Sequence, residues 1–301
     1  MSVVKEVPEN LKPAVNLFKE LTESTVLGYS SSGLWNSDIE NNSGILIAVS
    51  GGSDSIGLMN IAKIALPERH LVAGLIDHGL RDGTFDEWLL VKKEAERLRI
   101  KAVRKEITKP ELVAPGQKEG LQQWARNKRY ALLEEIAKEE GCKVIATGHT
   151  EDDQAETVIL RILRGAGIDG LGAIPKLRKS KTGVTIIRPL INVTRNSIIE
   201  WLNSSNIKYA TDPSNKNLKF TRVKIRDEIL VPLKEINSGV SKHLAELAEE
   251  SAFLSDFFDT QILNEDGFKK LNLLNGIKVT ADVFNKYPKH FHSRIIRAAL
   301  K

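Results

Sequence analysis

Ile45-Leu46-Ile47-Ala48-Val49-Ser50-Gly51-Gly52-Ser53-Asp54-Ser55 is the stretch on which the reading of this chain turns. Five apolar residues make a buried strand, and two glycines among hydroxyls and a carboxylate follow directly. Glycines without Cβ let backbone N–H groups approach an anion, and a helix beginning there adds the positive end of its dipole. Apolar residues recur at Ile56, Leu58, Met59 and Ile61, so the loop does open a helix. Neither a closing Gly-Lys-Ser/Thr nor a G-x-G-x-x-G is present, so this is not a Walker or dinucleotide loop. A simple helix cap needs one Ser or Asp. Four small polar residues around two glycines exceed that, and the loop reads as a phosphate cradle.

Outward from the loop, apolar strand-like runs alternate with helical patterns. A first helix is expected over 11–27, then a Ser-, Asn- and Gly-rich loop over 29–43. Strand 45–49 leads into a helix to about residue 65, strand 71–76 into helix 85–99, and an extended run 101–107 into helix 121–140. Strand 143–147 precedes helix 152–163, and strand 184–187 precedes a helix capped by Thr194 and ending near 203. This spacing predicts an α/β fold with a doubly wound parallel sheet. Ligands of such sheets bind beyond the C-terminal strand ends, where the strand order reverses. Two further polar loops then share the edge with residues 50–55: Asp77-His78-Gly79-Leu80-Arg81 and Gly148-His149-Thr150-Glu151-Asp152-Asp153. After the turn signal Asp212-Pro213-Ser214-Asn215 the patterns are helical, at 221–234, 240–263 and 291–301. The expected division is a catalytic domain over 1–216 and a smaller helical domain over 217–301.

Composition narrows the chemistry. The 301 residues are 41% hydrophobic and 28% charged, as in soluble globular proteins. No apolar run approaches the roughly 18–20 residues that span a bilayer, and there is no signal-peptide pattern, so a cytoplasmic protein without membrane contact is expected. The single cysteine, Cys142, excludes an internal disulfide, a cysteine-built zinc site and an iron–sulfur cluster. It adjoins the apolar run Val144-Ile145-Ala146, which suits a buried structural thiol. The net charge of +5 is uneven. Residues 157–226 hold fourteen Lys or Arg against three acids, Asp169, Glu200 and Asp212. A segment that basic suggests a surface facing a polyanion.

The run GHTEDDQAET over 148–157 puts Asp153 and Thr157 on one face of a helix start. A carboxylate there, opposite Asp54, suits a magnesium ion bridging phosphates, because magnesium takes a few carboxylate oxygens beside ligand oxygens. The helix then stops at Arg164-Gly165-Ala166-Gly167, leaving Arg164 near the cleft. SGGSDS over 50–55 resembles the signature loop of the N-type ATP pyrophosphatases, or PP-loop proteins. Together with LIDHGLR, ARNKRY, GHTEDDQAET, RGAGIDGL, RPL and DPSN followed by FTRVKIR, the sequence resembles the tRNA(Ile)-lysidine synthetases from about residue 45 to residue 232.

That resemblance implies an ATP-dependent, magnesium-requiring ligase. The carbon-2 oxygen of the wobble cytosine in a CAU-anticodon tRNA(Ile) attacks the α-phosphate of ATP; the amine of free L-lysine then displaces AMP to give lysidine. By position, Ser50, Gly51, Gly52, Ser53, Asp54 and Ser55 would hold the pyrophosphate, with Asp77 and His149 near the nucleotide. Asp54 and Asp153 would be the metal-side carboxylates, and Arg126, Arg129 and Arg164 would face the phosphates, the adenylate or the target base. Two basic clusters are expected to contact RNA: Lys176, Arg178, Lys179 and Lys181, and then Lys216, Lys219, Arg222, Lys224 and Arg226. A homodimer is left open.

Three departures accompany the resemblance. The family's paired histidines are His149-Thr150 here, and the Arg-Asn of its distal motif is Arg222-Val223. The chain stops at Lys301, whereas many members continue into a further C-terminal domain that helps grip the tRNA; a naturally short form or a shortened one is expected. Two alternatives stand beside this reading. One is another PP-loop tRNA-modifying enzyme, although a lone cysteine opposes any thiolase that uses a cysteine pair or cluster. The other is a non-catalytic nucleotide-binding module associated with RNA.

Overall fold

The computed structural model describes residues 7–22, 26–30, 33–37, 43–77, 84–107, 118–180, 182–211, 221–266, 268–271 and 276–300. Helix α1 (Lys12–Glu20) is followed by a hairpin of β1 (Val26–Ser30) and β2 (Gly33–Ser37). Then come β3 (Gly44–Val49), α2 (Ser53–Ala65), β4 (Leu71–Asp77), α3 (Thr84–Leu98) and β5 (Lys101–Glu106). The chain continues through α4 (Lys118–Glu139), β6 (Cys142–Ala146), α5 (Glu151–Leu163), the single turn α6 (Ile168–Leu171), β7 (Leu177–Lys179), β8 (Thr185–Ile187) and α7 (Arg195–Ser204).

Six strands form one sheet in the order β5-β4-β3-β6-β8-β7. All neighbours are parallel except β7, which runs antiparallel to β8 at the edge. Side-chain alternation sorts the strand residues onto two faces. Ile45, Ile47 and Val49 of β3 join Ala73 and Leu75 of β4 under α1, α2, α3 and α7. Leu46, Val72 and Ile145 point the other way, against Leu133, Ile136 and Ala137 of α4. Helices therefore cover both faces, as the expected doubly wound sheet requires. Each fully buried Ile or Leu contributes about 1.5–3 kcal/mol. The strand order reverses between β3 and β6, so the loops after those two strands meet at the switch point.

The C-terminal part begins with α8 (Thr221–Lys224), runs without a break through a π-helical segment (Ile225–Leu230) into α9 (Val231–Ile236), and continues with α10 (Val240–Leu263). Pro232 explains the widened turn. Its ring has no N–H and clashes with the carbonyl four residues back, and the adjacent Val231 N–H bonds instead to the Arg226 carbonyl, five residues back. Beyond α10 lie a hairpin, β9 (Phe268–Leu271) and β10 (Gly276–Val279), then α11 (Ala281–Lys286) and α12 (Lys289–Leu300). Ile262, Val283, Ile295 and Ala298 make a small separate core there. The expected division at 216/217 falls within 212–220, outside the described residues.

Three expectations are corrected. The helix expected over 11–27 ends at Glu20, where the Thr22 hydroxyl donates to the Phe18 carbonyl (2.7 Å), and Val26 and Leu27 belong to β1. The loop expected over 29–43 contains a hairpin, with Tyr29 opposite Leu34 and Gly28 opposite Trp35. The region after Asp212 is not wholly helical, because β9 pairs with β10.

Candidate active site

Gly51 sits at φ +86°, a conformation open to glycine, and a Cβ there would lie 3.4 Å from the Glu87 Cβ. The Gly51 carbonyl accepts from the Ala210 N–H (2.8 Å), so the segment before residue 211 borders the cradle. The loop's hydroxyls are turned on the loop itself. Ser55 Oγ accepts from the Ser50 N–H (3.1 Å) and donates to the Gly52 carbonyl (2.9 Å). Gly52 occupies the N-cap position of α2 and supplies no side-chain cap. The first-turn N–H groups of α2 are thus left without a capping side chain, as an anion seat requires.

The opposing helix, α5, begins differently. Thr150 Oγ1 accepts from the Asp153 N–H (3.4 Å), while Asp153 Oδ2 accepts from the Thr150 N–H (2.9 Å), a reciprocal capping box. Thr150, which stands where the family's second histidine would be, is fully buried in that box. Gly148 lets the two loops close: a Cβ there would lie 3.2 Å from the Asp54 carbonyl.

Arg195, at the start of α7, joins the two carboxylates. Its Nε donates to Asp54 Oδ2 (2.9 Å), and its terminal nitrogen reaches Asp153 Oδ1 (3.4 Å). Its backbone N–H donates to Asp152 Oδ2 (2.7 Å), and Lys234 from α9 donates to the other Asp152 oxygen (2.7 Å). Burial raises the Asp54 carboxyl above the ordinary range against the opposing charge of Arg195. Asp153 is held low: burial opposes this, but the Arg195 charge and the Thr150 bonds outweigh it. Deeper along α5, Glu156 is 1% exposed, and one oxygen accepts from Arg226 Nε (2.6 Å) while the other has no partner. Burial raises its carboxyl despite Arg226.

Beyond Asp153 lie His149 and a group of arginines. His149 Nδ1 meets Thr147 Oγ1 at 3.0 Å. Burial, with the Arg188 charge acting in the same direction, pushes the imidazole down to about 3, so it is neutral at neutral pH. Arg188 is 2% exposed. Arg126 and Arg178 lie over the Tyr130 ring, at 5.5 and 4.9 Å from its centroid. Arg129 is exposed at its surface, and crowding by the surrounding protein together with the Arg126 charge lowers its pKa.

The structure thus brings Ser50, Gly51, Gly52, Ser53, Asp54 and Ser55 together with His149 and Asp153. Asp77 is drawn aside: its buried carboxylate accepts from Arg104 (2.5 Å) of the neighbouring strand. Arg164 ends α5 as an exposed C-cap. The first basic cluster separates into faces, with Lys176 bonded to Glu249 and Arg178 on Tyr130. Lys179 borders a groove between α4 and the β7–β8 turn. Lys181, Lys216, Lys219, the motif at 212–215 and the segment 78–81 lie outside the described residues. Of the second cluster, Arg222 donates to Thr157 Oγ1 (3.3 Å) and Arg226 to Glu156. Sequence reading missed Arg195, Arg188 and the Glu156–Arg226 pair. RPL flags Arg188 by motif, but no local signal ties Arg195 to Asp54, 141 residues away. Cys142 is buried, and burial pushes its thiol up to about 11, which suits a structural role.

Among the described residues no group of three or more His, Cys, Asp or Glu is placed to hold a metal ion, and no helix is long and apolar enough to cross a membrane.

Comparison with known proteins supplies the rest. Residues 25–233 match the family model described as a PP-loop domain. A tRNA(Ile)-lysidine synthase of Bradyrhizobium diazoefficiens is 37% identical over 216 residues, 69% of this chain and 56% of that protein. The synthase of Ruegeria pomeroyi is 34% identical over 218 residues, 71% and 49% of the two chains. That of Chlamydia muridarum is 31% identical over 229 residues, 75% and 68% of the two. The chain spans about half the length of the first two relatives. A solved U34-tRNA thiolase from Methanococcus maripaludis superposes with a TM-score of 0.62 at 19% identity, covering 81% of this chain and 80% of that one, a likeness of fold.

Proposed function

Because the chain belongs to the tRNA(Ile)-lysidine synthase family of PP-loop proteins, we propose that it is an ATP-dependent ligase that joins lysine to carbon 2 of the wobble cytidine in a CAU-anticodon tRNA(Ile). The observation that carries this reading is the uncapped start of α2 beside Asp54 and Asp153 at the switch point.

In the first step the cytosine carbonyl oxygen attacks the α-phosphate of ATP, and the bond to the β-phosphate breaks to release pyrophosphate. The uncapped N–H groups at the start of α2 seat that leaving group. These donors are fixed before the reaction, so little reorganisation is needed as charge develops. Arg126 is assigned to the surroundings of the adenylated base, where positive charge stabilises the same transition state; Arg164, an exposed C-cap at the end of α5 opposite to Asp153, is left out of the reaction. In the second step the lysine amine forms the carbon–nitrogen bond and AMP leaves. Neutral His149 can orient a polar group without adding charge.

Asp54 and Asp153 fit a magnesium ion by the chemistry of their donor set. Both already face one cation, Arg195, and two carboxylates with phosphate oxygens suit magnesium. Asp54 and Asp153 would hold the ion, which would supply charge neutralisation at the phosphates. The helical part after residue 216 and the basic segment before it are assigned to the tRNA.

The test is pyrophosphate release from ATP with a CAU-anticodon tRNA transcript, followed by mass analysis of the wobble nucleoside, with lysine omitted as control. Release should require the transcript, and the added mass should require lysine. ATP turnover indifferent to both would overturn the reading.

A further inference from the structure

Three guanidinium groups gather on one phenol without an acid among them. Arg126 (on α4) and Arg178 (on β7) lie over the Tyr130 ring, and Arg188 follows directly after β8. None of the three pairs with a carboxylate among the described residues, while Asp54 and Asp153 are already engaged by Arg195. Arg188 donates to the Pro175 carbonyl and bonds Tyr130, while its Nε has no partner. A charged group that is 2% exposed and has no carboxylate beside it is disfavoured by the loss of its hydration.

We propose that Arg126, Arg178 and Arg188 form a second anion pocket, distinct from the cradle of α2, which receives a phosphate ester. Arg126 is exposed and Arg178 half-buried, so these two make the contact, and the buried Arg188 adds positive charge nearby. The planar guanidinium suits phosphate because two N–H groups can bond two oxygens at once. Electrostatics agrees. Burial would raise the Tyr130 phenol, yet Arg188, Arg126 and Arg178 outweigh it and lower it. Burial likewise pushes Arg188 down to about 10, and Arg178 and Arg126 add to that shift. An anion seated against these groups would relieve both strains.

The phosphate has two sources, the nucleotide or the RNA backbone. The nucleotide already has a seat on α2, so a phosphodiester beside the target base is favoured; that choice alone rests on the proposed function. Binding to the full chain of ATP with magnesium, and separately of a short RNA hairpin with CAU in its loop, distinguishes them. Arg178→Met keeps apolar packing on Tyr130 but removes the charge. It should weaken hairpin binding roughly tenfold and reduce the slope of log K against log salt by about 0.7–0.9. ATP binding should stay within about twofold, and Arg178→Lys should recover part of the hairpin affinity. A tenfold loss for ATP instead, with the hairpin unchanged, would support the pocket and assign it to the nucleotide. Unchanged binding of both probes would overturn it. If the hairpin failed to bind even the unaltered chain, the proposed function would fall, while the ATP arm would still test the pocket.

Discussion

Acidification should expose the cost of keeping His149 neutral. An unfolded histidine titrates near 6.5, whereas in the fold burial and the Arg188 charge push it down to about 3. Between those values the unfolded chain binds the extra proton and the folded chain does not, so stability rises with pH across the window and falls as pH drops below about 6.5. At about pH 5 the unfolded state gains roughly RT ln(1 + 10^1.5), or about 2 kcal/mol, relative to about pH 7.5. The assay is urea denaturation of the unaltered chain and of His149→Asn at both pH values. Asparagine keeps a polar group near Thr147 Oγ1 and cannot titrate. The unaltered chain should lose about 2 kcal/mol more than the variant on acidification, the other histidines cancelling in the difference. Equal losses would refute the argument, as would a His149 imidazole found by NMR to titrate near 6.5.

Gly51→Ala places Cβ at a positive φ, which costs about 1–2 kcal/mol, and distorts the cradle; calorimetry should show ATP binding lost in a chain that still folds. Arg226→Ala strands the buried Glu156 carboxylate and should destabilise by about 2–3 kcal/mol, the low end for a broken pair because Arg226 is partly exposed. Adding Glu156→Gln should recover part of that in denaturation, and no recovery would mean that the pair's charge is not what matters. Asp54→Asn and Asp153→Asn should each abolish pyrophosphate release while tRNA binding stays nearly intact. Asparagine at 153 can still accept the Thr150 N–H, so full activity in either variant would remove that carboxylate from the reaction.

What the sequence made legible follows the range of the forces involved. Strand–loop–helix alternation is written locally: Ile45, Ile47 and Val49 announce a buried strand, and Thr194 caps α7 through the Ser197 N–H as its position suggests. The β1–β2 hairpin was hidden because Gly28, Gly33, Asn36 and Ser37 carry turn composition, although cross-strand pairing holds them extended. β7 is three residues long and is held by β8 rather than by its own propensity. In the site, the cradle and Asp153 were readable because motif residues lie on one loop each. Arg195 was not, since its role arises only when α7 packs beside α2. Asp152 anchors the Arg195 backbone and Lys234 from α9, contacts that no local signal announces. Asp77 ends its strand as expected, but Arg104, one strand over, takes its charge.

The vacant cap position on α2 has a thermodynamic meaning. Gly52 has ordinary extended backbone angles, and a Cβ there would meet only Ser50 Oγ, at 3.7 Å. Serine or aspartate would fit and would recover about 1 kcal/mol by closing the helix end. The chain forgoes a gain that its own geometry permits, while α5, a few ångströms away, takes it in full. Ligand-free protein therefore lacks those helix-end bonds, and any anion that settles there should raise the melting temperature as it supplies them.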